Sequence, residues 1–487
     1  MFRRFTFLAA VAGALWPASA SADGVRLVAH ESVNGGPAST LSVDLVTPTE
    51  TRAVDWRALS SMPLSPGRYK LRLAFAGGEG LHLEVPPCAG RNAVRLDGKA
   101  VQGGKGPLVL PLPPRAEAHA VEIDVRVSSY ERRIACGYAP RYGAKSPADA
   151  SGGFALLTFP SSARGGGQAV VYVPRGLDRK KPAPLLVGAH PWGGDAWTYA
   201  AYAELLAAAD ARSVVLLFPS GLGNSLYTEE AENEVVRAMD ALAQTQRIDD
   251  TRVSIWGASM GGAGATTIGF HRPDRFAAVV SLFGDSKYDL GTYVRPILVD
   301  EAGAHRVNAL DVVDNARHLD VWLIHGDADR VSPVAQSAML DVALRERGFR
   351  SRFDKVERAG HDGSLVARFA GAVVEKAASA QRPRAPSRVT FRSVRSGDTA
   401  AYGVRIVRAG KGDAFIDVER EASRIVIRRA VGVRSVELGA PFAAGADTGP
   451  EKKPLRVERA EEVPASVDVR VVPEAAPSAS SPERSAP

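Results

Sequence analysis

The pentapeptide Gly257-Ala258-Ser259-Met260-Gly261 constrains this chain more than any other stretch of it. Before it, Arg252-Val253-Ser254-Ile255-Trp256 has the β-branched and aromatic character of a buried strand. After it, Gly262-Ala263-Gly264-Ala265-Thr266-Thr267-Ile268 reads as a tightly packed helix. A G-x-S-x-G pattern between a strand and a helix forces a turn so sharp that the serine takes a strained backbone conformation and its Oγ stands clear of the sheet. Glycine is needed on both sides, because a Cβ at Gly257 or Gly261 would collide with the neighbouring strand or helix.

A serine hydroxyl is a weak nucleophile until a base lies within hydrogen-bond reach and an acid orients that base. Two downstream segments offer them. His325-Gly326-Asp327-Ala328-Asp329-Arg330-Val331-Ser332-Pro333 follows the apolar run Val321-Trp322-Leu323-Ile324, and Gly360-His361 follows a short strand near 352–356. Taken singly, each signal has a plainer reading: a five-residue pattern arises by chance, Asp329 suits a surface turn or a helix cap, and His361 suits an ordinary loop. Taken together, three segments each closing a predicted strand make Ser259 the nucleophile, His361 the base and Asp329 the orienting acid. The oxyanion of a tetrahedral intermediate needs preplaced N–H donors. The candidates are Met260, next after the nucleophile, and Trp192, with Gly193 second, in the loop His190-Pro191-Trp192-Gly193-Gly194. Pro191 has no N–H to give.

The order Ser, Asp, His and these segments resemble the α/β-hydrolases, in particular the prolyl-oligopeptidase-like, dienelactone-hydrolase-like and polyhydroxybutyrate-depolymerase-like group. The resemblance covers roughly residues 165 to 378. Trp256-Gly257-Ala258-Ser259-Met260-Gly261-Gly262 matches that group's nucleophile segment, and Gly360-His361 its histidine segment. His325-Gly326 with Asp329, Val331 and Pro333 matches H-G-x-x-D-x-x-V-P, which puts the acid at Asp329 rather than Asp327. The resemblance implies hydrolysis of an acyl bond through an acyl-enzyme, with no metal or organic cofactor. Pro191 departs from the usual His-Gly start of the oxyanion loop.

The 487 residues suggest about three domains. Residues 1–22 read as a signal peptide: Arg3 and Arg4, a short apolar stretch from Phe5 to Trp16, and A-x-A sites ending at Ala22. Residues 23–147 alternate apolar and polar between Gly and Pro turns, as in a β-sandwich. Residues 148–379 alternate strands and helices, with strands expected at 169–173, 185–189, 214–218, 253–256, 277–282, 321–324 and 353–356. That pattern means a mostly parallel central sheet covered on both faces, an α/β fold. One helix is expected to start at Thr228, another with Ser332 as N-cap and Pro333 at its first position. Residues 380–472 return to a β pattern as a small C-terminal domain, and 473–487, rich in Pro, Ala and Ser, should be disordered.

The net charge of +7 falls to about +5 once Arg3 and Arg4 leave with no acid beside them. The excess is scattered among acids, which suits a solvated surface and argues against nucleic-acid binding. No apolar run beyond the leader is long enough to span a bilayer, so the mature chain is expected to hold no integral membrane segment and to be exported, to the periplasm or outside the cell. Its two cysteines, Cys88 and Cys136, lack zinc-ligand spacing and in an oxidising compartment most simply form one disulfide.

The expected reaction is carboxylic ester hydrolysis, polymeric and glycan-linked esters included. The residues ahead of the hydrolase segment are too few for a substrate-screening β-propeller, and no long insertion between core strands supplies a deep lid, so an open site is expected. Trp197, Tyr199 and Phe283 are candidates to line an acyl pocket, or else to pack the scaffold. Two other readings stand beside the esterase: a serine peptidase, and a non-catalytic binding protein on a hydrolase scaffold.

Overall fold

The computed structural model describes residues 26–29, 42–144, 153–163, 165–288, 301–443 and 456–472. The expected signal peptide and the tail at 473–487 lie outside the described residues.

The centre of the molecule is a nine-stranded sheet. Eight of its strands run in chain order as β1 (Gly153–Phe159), β2 (Gly167–Val173), β3 (Ala183–Ala189), β4 (Val215–Pro219), β5 (Ile248–Ala258), β6 (Ala278–Leu282), β7 (Asp320–Gly326) and β8 (Ser351–Val356). The spatial order is Arg26–Ala29, β1, β2, β4, β3, β5, β6, β7, β8. From β4 through β3 to β8 every pairing is parallel, and the remaining pairings at the other edge are antiparallel. The strands β3, β4 and β6 are buried at every position, as parallel strands sandwiched by helices must be. Helices α1 (Ala203–Arg212), α2 (Glu229–Thr245), α3 (Met260–His271) and α4 (Ala335–Glu346) connect strands of the sheet, and α5 (Gly363–Ser379) follows the last of them. Two apolar clusters lie one on each side of the sheet, around Ile255, Val187 and Leu323 on one and Trp256, Leu186 and Ile324 on the other.

Three expectations need correction. Arg26–Ala29 does not join the N-terminal sandwich; it pairs antiparallel with β1 at the sheet edge, covering an edge that would otherwise expose unpaired N–H and C=O groups. Strand β1 is an addition to the strands expected from the sequence, the first of which lay at 169–173. Helix α4 starts at Ala335 rather than Pro333, and Ser332 caps nothing: its hydroxyl donates to Asp285 at 2.7 Å.

The N-terminal region forms a six-stranded sheet and a three-stranded one, around a core that includes Leu71, Ile123, Leu83 and Trp56. Cys88 and Cys136 are disulfide-bonded within it. The C-terminal region forms two four-stranded sheets over Phe391, Ile416, Val436 and Phe442.

The N-terminal sheets are anchored on the central unit next to the carboxyl ends of its strands. Arg133 donates to Glu204 at 3.0 Å, both oxygens of Glu131 accept from the Tyr202 hydroxyl at 3.0 Å, and the Gly363 N–H donates to the Tyr130 carbonyl at 2.6 Å. The C-terminal sheets are tied on through buried charge: Arg395 bridges Glu232 and Asp398, and Asp398 also meets His271.

Candidate active site

Ser259 sits between the end of β5 and the start of α3 with φ 57° and ψ −123°, a conformation that L-residues avoid. The strain is held by the packing around it. The Ser259 N–H donates to the Leu282 carbonyl at 2.9 Å, and its own carbonyl accepts from Ala263 at 3.0 Å. A Cβ on Gly261 would run into the Ala189 carbonyl, and one on Gly257 into the Gly261 carbonyl, so both positions require glycine.

His361 follows β8 and Asp329 follows β7. The His361 Nε2 lies 2.7 Å from Ser259 Oγ, and its Nδ1 lies 2.7 Å from Asp329 Oδ2. An ionised carboxylate only accepts, so Nδ1–H donates to Asp329 and Nε2 in the neutral ring accepts the serine proton. Asp329 is fixed in turn: its Oδ1 accepts the N–H groups of Val331 and Ser332 at 2.8 and 2.9 Å, and His325 Nε2 lies 3.5 Å from Oδ2. Burial alone would raise the Asp329 carboxyl, but the hydrogen bonds from His325, His361 and the Val331 N–H outweigh it and hold the group well below the usual carboxylate range. His325, buried, donates to the Ser332 carbonyl at 2.9 Å and lies 2.8 Å from the Ser337 hydroxyl, which locks its ring beside the acid. Its sequence segment was legible, but nothing in the pattern marks this supporting contact.

The loop after β3 faces the serine. Gly193 donates its N–H to Asn224 Oδ1 at 2.7 Å and is therefore engaged. Among the described residues the N–H groups of Trp192 and Met260 have no partner, so both remain free to donate to a bound group. The Trp192 side chain is 52% exposed on the wall of the cavity.

The aromatic candidates separate. Trp197 lines the cavity. Tyr199 does not: it is 1% exposed in the core beneath the elbow, packed on Trp256 with ring centroids 4.3 Å apart. Phe283 is fully buried and packs edge-on against His361 at 4.7 Å, so it shapes the histidine's seat rather than an acyl pocket. Both are apolar bodies too deep to meet a substrate.

Ser259, Met260 and His361 open into a cavity of about 790 Å³. The site is not open on the N-terminal side, as the sequence suggested. Residues 88–92 and 128–131 of the N-terminal unit form that wall, and Tyr130 stands over His361 with ring centroids 6.3 Å apart. Elsewhere on the wall Asp285, 4% exposed, lines the cavity and accepts from Ser332. Burial pushes its carboxyl up to about 6, against the hydrogen bond from Ser332 and the pull of His325 and His361. Neither Tyr130 nor Asp285 carries a sequence signal, since each reaches the site only through tertiary packing. Among the described residues no group of three or more His, Cys, Asp or Glu side chains is arranged to hold a metal ion.

Residues 223–379, which contain Ser259, Asp329 and His361, match the prolyl oligopeptidase family. The central unit is a prolyl-oligopeptidase-like α/β-hydrolase. No curated protein matches the chain in sequence. Among solved structures, the chain is similar to an S-formylglutathione hydrolase from Agrobacterium tumefaciens (19% identity, 47% of this chain and 96% of that one, TM-score 0.42). It is similar also to a thermostable esterase (16% identity, 66% and 98%, TM-score 0.40). A third is an acylaminoacyl peptidase from Pyrococcus horikoshii (12% identity, 67% and 57%, TM-score 0.40).

Proposed function

We propose that this serine hydrolase cleaves carboxylic esters through an acyl-enzyme on Ser259, and that it acts outside the cytoplasm. The observation that carries the reading is the His361 imidazole, 2.7 Å from the serine oxygen on one side and 2.7 Å from an ionised, doubly anchored Asp329 on the other. In the proposed reaction, His361 takes the Ser259 proton as Oγ attacks the acyl carbon. The oxyanion then accepts from the N–H groups of Met260 and Trp192. His361 returns the proton to the leaving alcohol as the acyl-enzyme forms, and a water activated by the same imidazole releases the acid.

Ester rather than amide cleavage is favoured by the architecture around the site. The N-terminal unit is a pair of sheets that walls the cavity, with none of the repeated blades of a propeller that screens peptides among its described residues. Export is supported by the leader-like pattern of residues 1–22 and by the Cys88–Cys136 disulfide. Among the described residues no helix is long and apolar enough to cross a membrane.

The test is to label the protein with a fluorophosphonate, map the adduct, and compare 4-nitrophenyl acyl esters with aminoacyl 4-nitroanilides. The expected result is an adduct on Ser259, ester turnover well above amide turnover, and a fall in kcat on the order of 10⁶ for Ser259→Ala. Comparable rates on both substrate types would favour the peptidase reading. A Ser259→Ala variant with undiminished turnover would end both.

A further inference from the structure

We propose that the N-terminal β unit reads a carboxylate on the substrate through Arg126, with Arg91 behind it, so that the site prefers esters carrying an anionic substituent away from the scissile carbonyl. The proposal rests on the serine-hydrolase reading above and adds a substrate class to it.

The charges on the cavity wall do not balance at one end. Three cations, Arg91, Lys105 and Arg126, come from the N-terminal unit. Lys105 is neutralised by Asp195 at 2.5 Å. The acid that this unit contributes to the same cavity, Glu131, is occupied by the Tyr202 hydroxyl, and burial raises its carboxyl. Arg91 donates to the backbone carbonyls of Pro86, Gly104 and Gly106 at 2.8, 2.6 and 2.6 Å. Those bonds fix its guanidinium without cancelling its charge. Arg126 is exposed, and among the described residues its side chain makes neither an ion pair nor a hydrogen bond.

The strand that carries Arg126 shows how unusual this is. Glu122, Asp124 and Arg126 share one face of the strand His119–Val127. Glu122 is paired with Lys70 and Arg72, and Asp124 with Arg95. Arg126 instead faces Arg68 across the ladder, a directly opposed pair of like charges. Such a pair destabilises a sheet unless something negative offsets it. A substrate carboxylate in the cavity supplies that charge. Arg126 presents the planar fork that meets a carboxylate in two hydrogen bonds, and Arg91 adds a fixed positive field where the protein walls lower the dielectric. The wall is held by the Tyr130, Glu131 and Arg133 contacts to the central unit, so the strand end that carries Arg126 is in place before substrate arrives.

The experiment measures kcat/KM for matched pairs of esters: 4-nitrophenyl butyrate against 4-nitrophenyl hemisuccinate, which puts the anion on the acyl side, and phenyl butyrate against 3-butyryloxybenzoate, which puts it on the leaving group. For at least one pair the native protein should favour the anionic ester, and that preference should drop about tenfold in both Arg126→Gln and Arg126→Glu, the scale of one charge-assisted hydrogen bond. It should also shrink as sodium chloride is raised to about 0.5 M, as an exposed charge contact must. Unchanged anionic-to-neutral ratios in both variants, with Ser259 still labelled and the neutral esters still hydrolysed, would overturn the proposal and leave the serine-hydrolase reading intact. No ester turnover and no label at Ser259 in the native protein would overturn both.

Discussion

The Tyr199 hydroxyl accepts the Ala258 N–H at 2.8 Å, one residue before Ser259. The same hydroxyl donates to the Ala189 carbonyl at 2.8 Å, the last residue of β3 before the loop 190–194. One buried phenol therefore sets the spacing between the serine and the loop that faces it. Its burial pushes its own ionisation far above the ordinary phenol range, so it remains a hydrogen-bonding group at any working pH.

Tyr199→Phe should keep the packing against Trp256 but leave the Ala258 N–H and one Ala189 lone pair unsatisfied. A loss of about 1–3 kcal/mol in stability follows from the buried orphan groups. Because the geometry between nucleophile and oxyanion donors loosens, kcat should fall about tenfold with KM little changed. Denaturant melts with steady-state kinetics check this. A variant with native kcat would mean the phenol is packing alone.

The oxyanion assignment depends on a backbone atom, so it calls for a substitution that removes that atom. Trp192→Pro deletes the N–H and the indole, whereas Trp192→Ala deletes only the indole. The proline variant should lose about 10²–10³ in kcat beyond the alanine variant, the usual cost of one oxyanion donor. Equal kcat in the two would move the donor elsewhere in the loop.

Asp285 and Asp329 should respond to pH with opposite signs. The Asp285 carboxyl rises from 3.8 to about 6 on folding, so between those values the native state holds more protons than the unfolded chain and stability falls as pH rises. Asp329 is held low, so its contribution is present above the unfolded carboxylate range and is lost as pH drops through its folded value. Asp285→Asn removes the first effect alone. Relative to the native protein it should gain up to about 3 kcal/mol on going from about pH 4 to about pH 8, the free-energy equivalent of moving one carboxyl that far. Urea denaturation at both pH values measures the difference. A stability difference that stays constant across that range would show that Asp285 is not driven up by burial.

The fold class of the central unit was legible because parallel strands buried on both faces leave a continuous apolar signature, as in Leu185-Leu186-Val187 and Val321-Trp322-Leu323-Ile324. The elbow was legible because its backbone strain admits few residue types. The roles of Tyr199 and Phe283 stayed open between acyl pocket and scaffold for a common reason: an aromatic next to a site segment looks the same in sequence whether it faces substrate or supports the group that does. Ser332 was misread as a helix cap because a hydroxyl before Pro333 suits that role locally, while Asp285, 47 residues upstream, takes it instead.

The order and chemical identity of Ser259, Asp329 and His361 were fixed by local patterns, because each had to close a strand in a backbone setting that its neighbours dictate. Which surfaces enclose them was decided only in three dimensions. Segments 88–92 and 128–131 belong to a different unit, and their place beside the serine depends on contacts such as Gly363 to Tyr130 and Tyr202 to Glu131, between residues far apart in the chain. Such contacts leave no periodicity in the chain, since each is a single meeting of surfaces and not a repeat along one element.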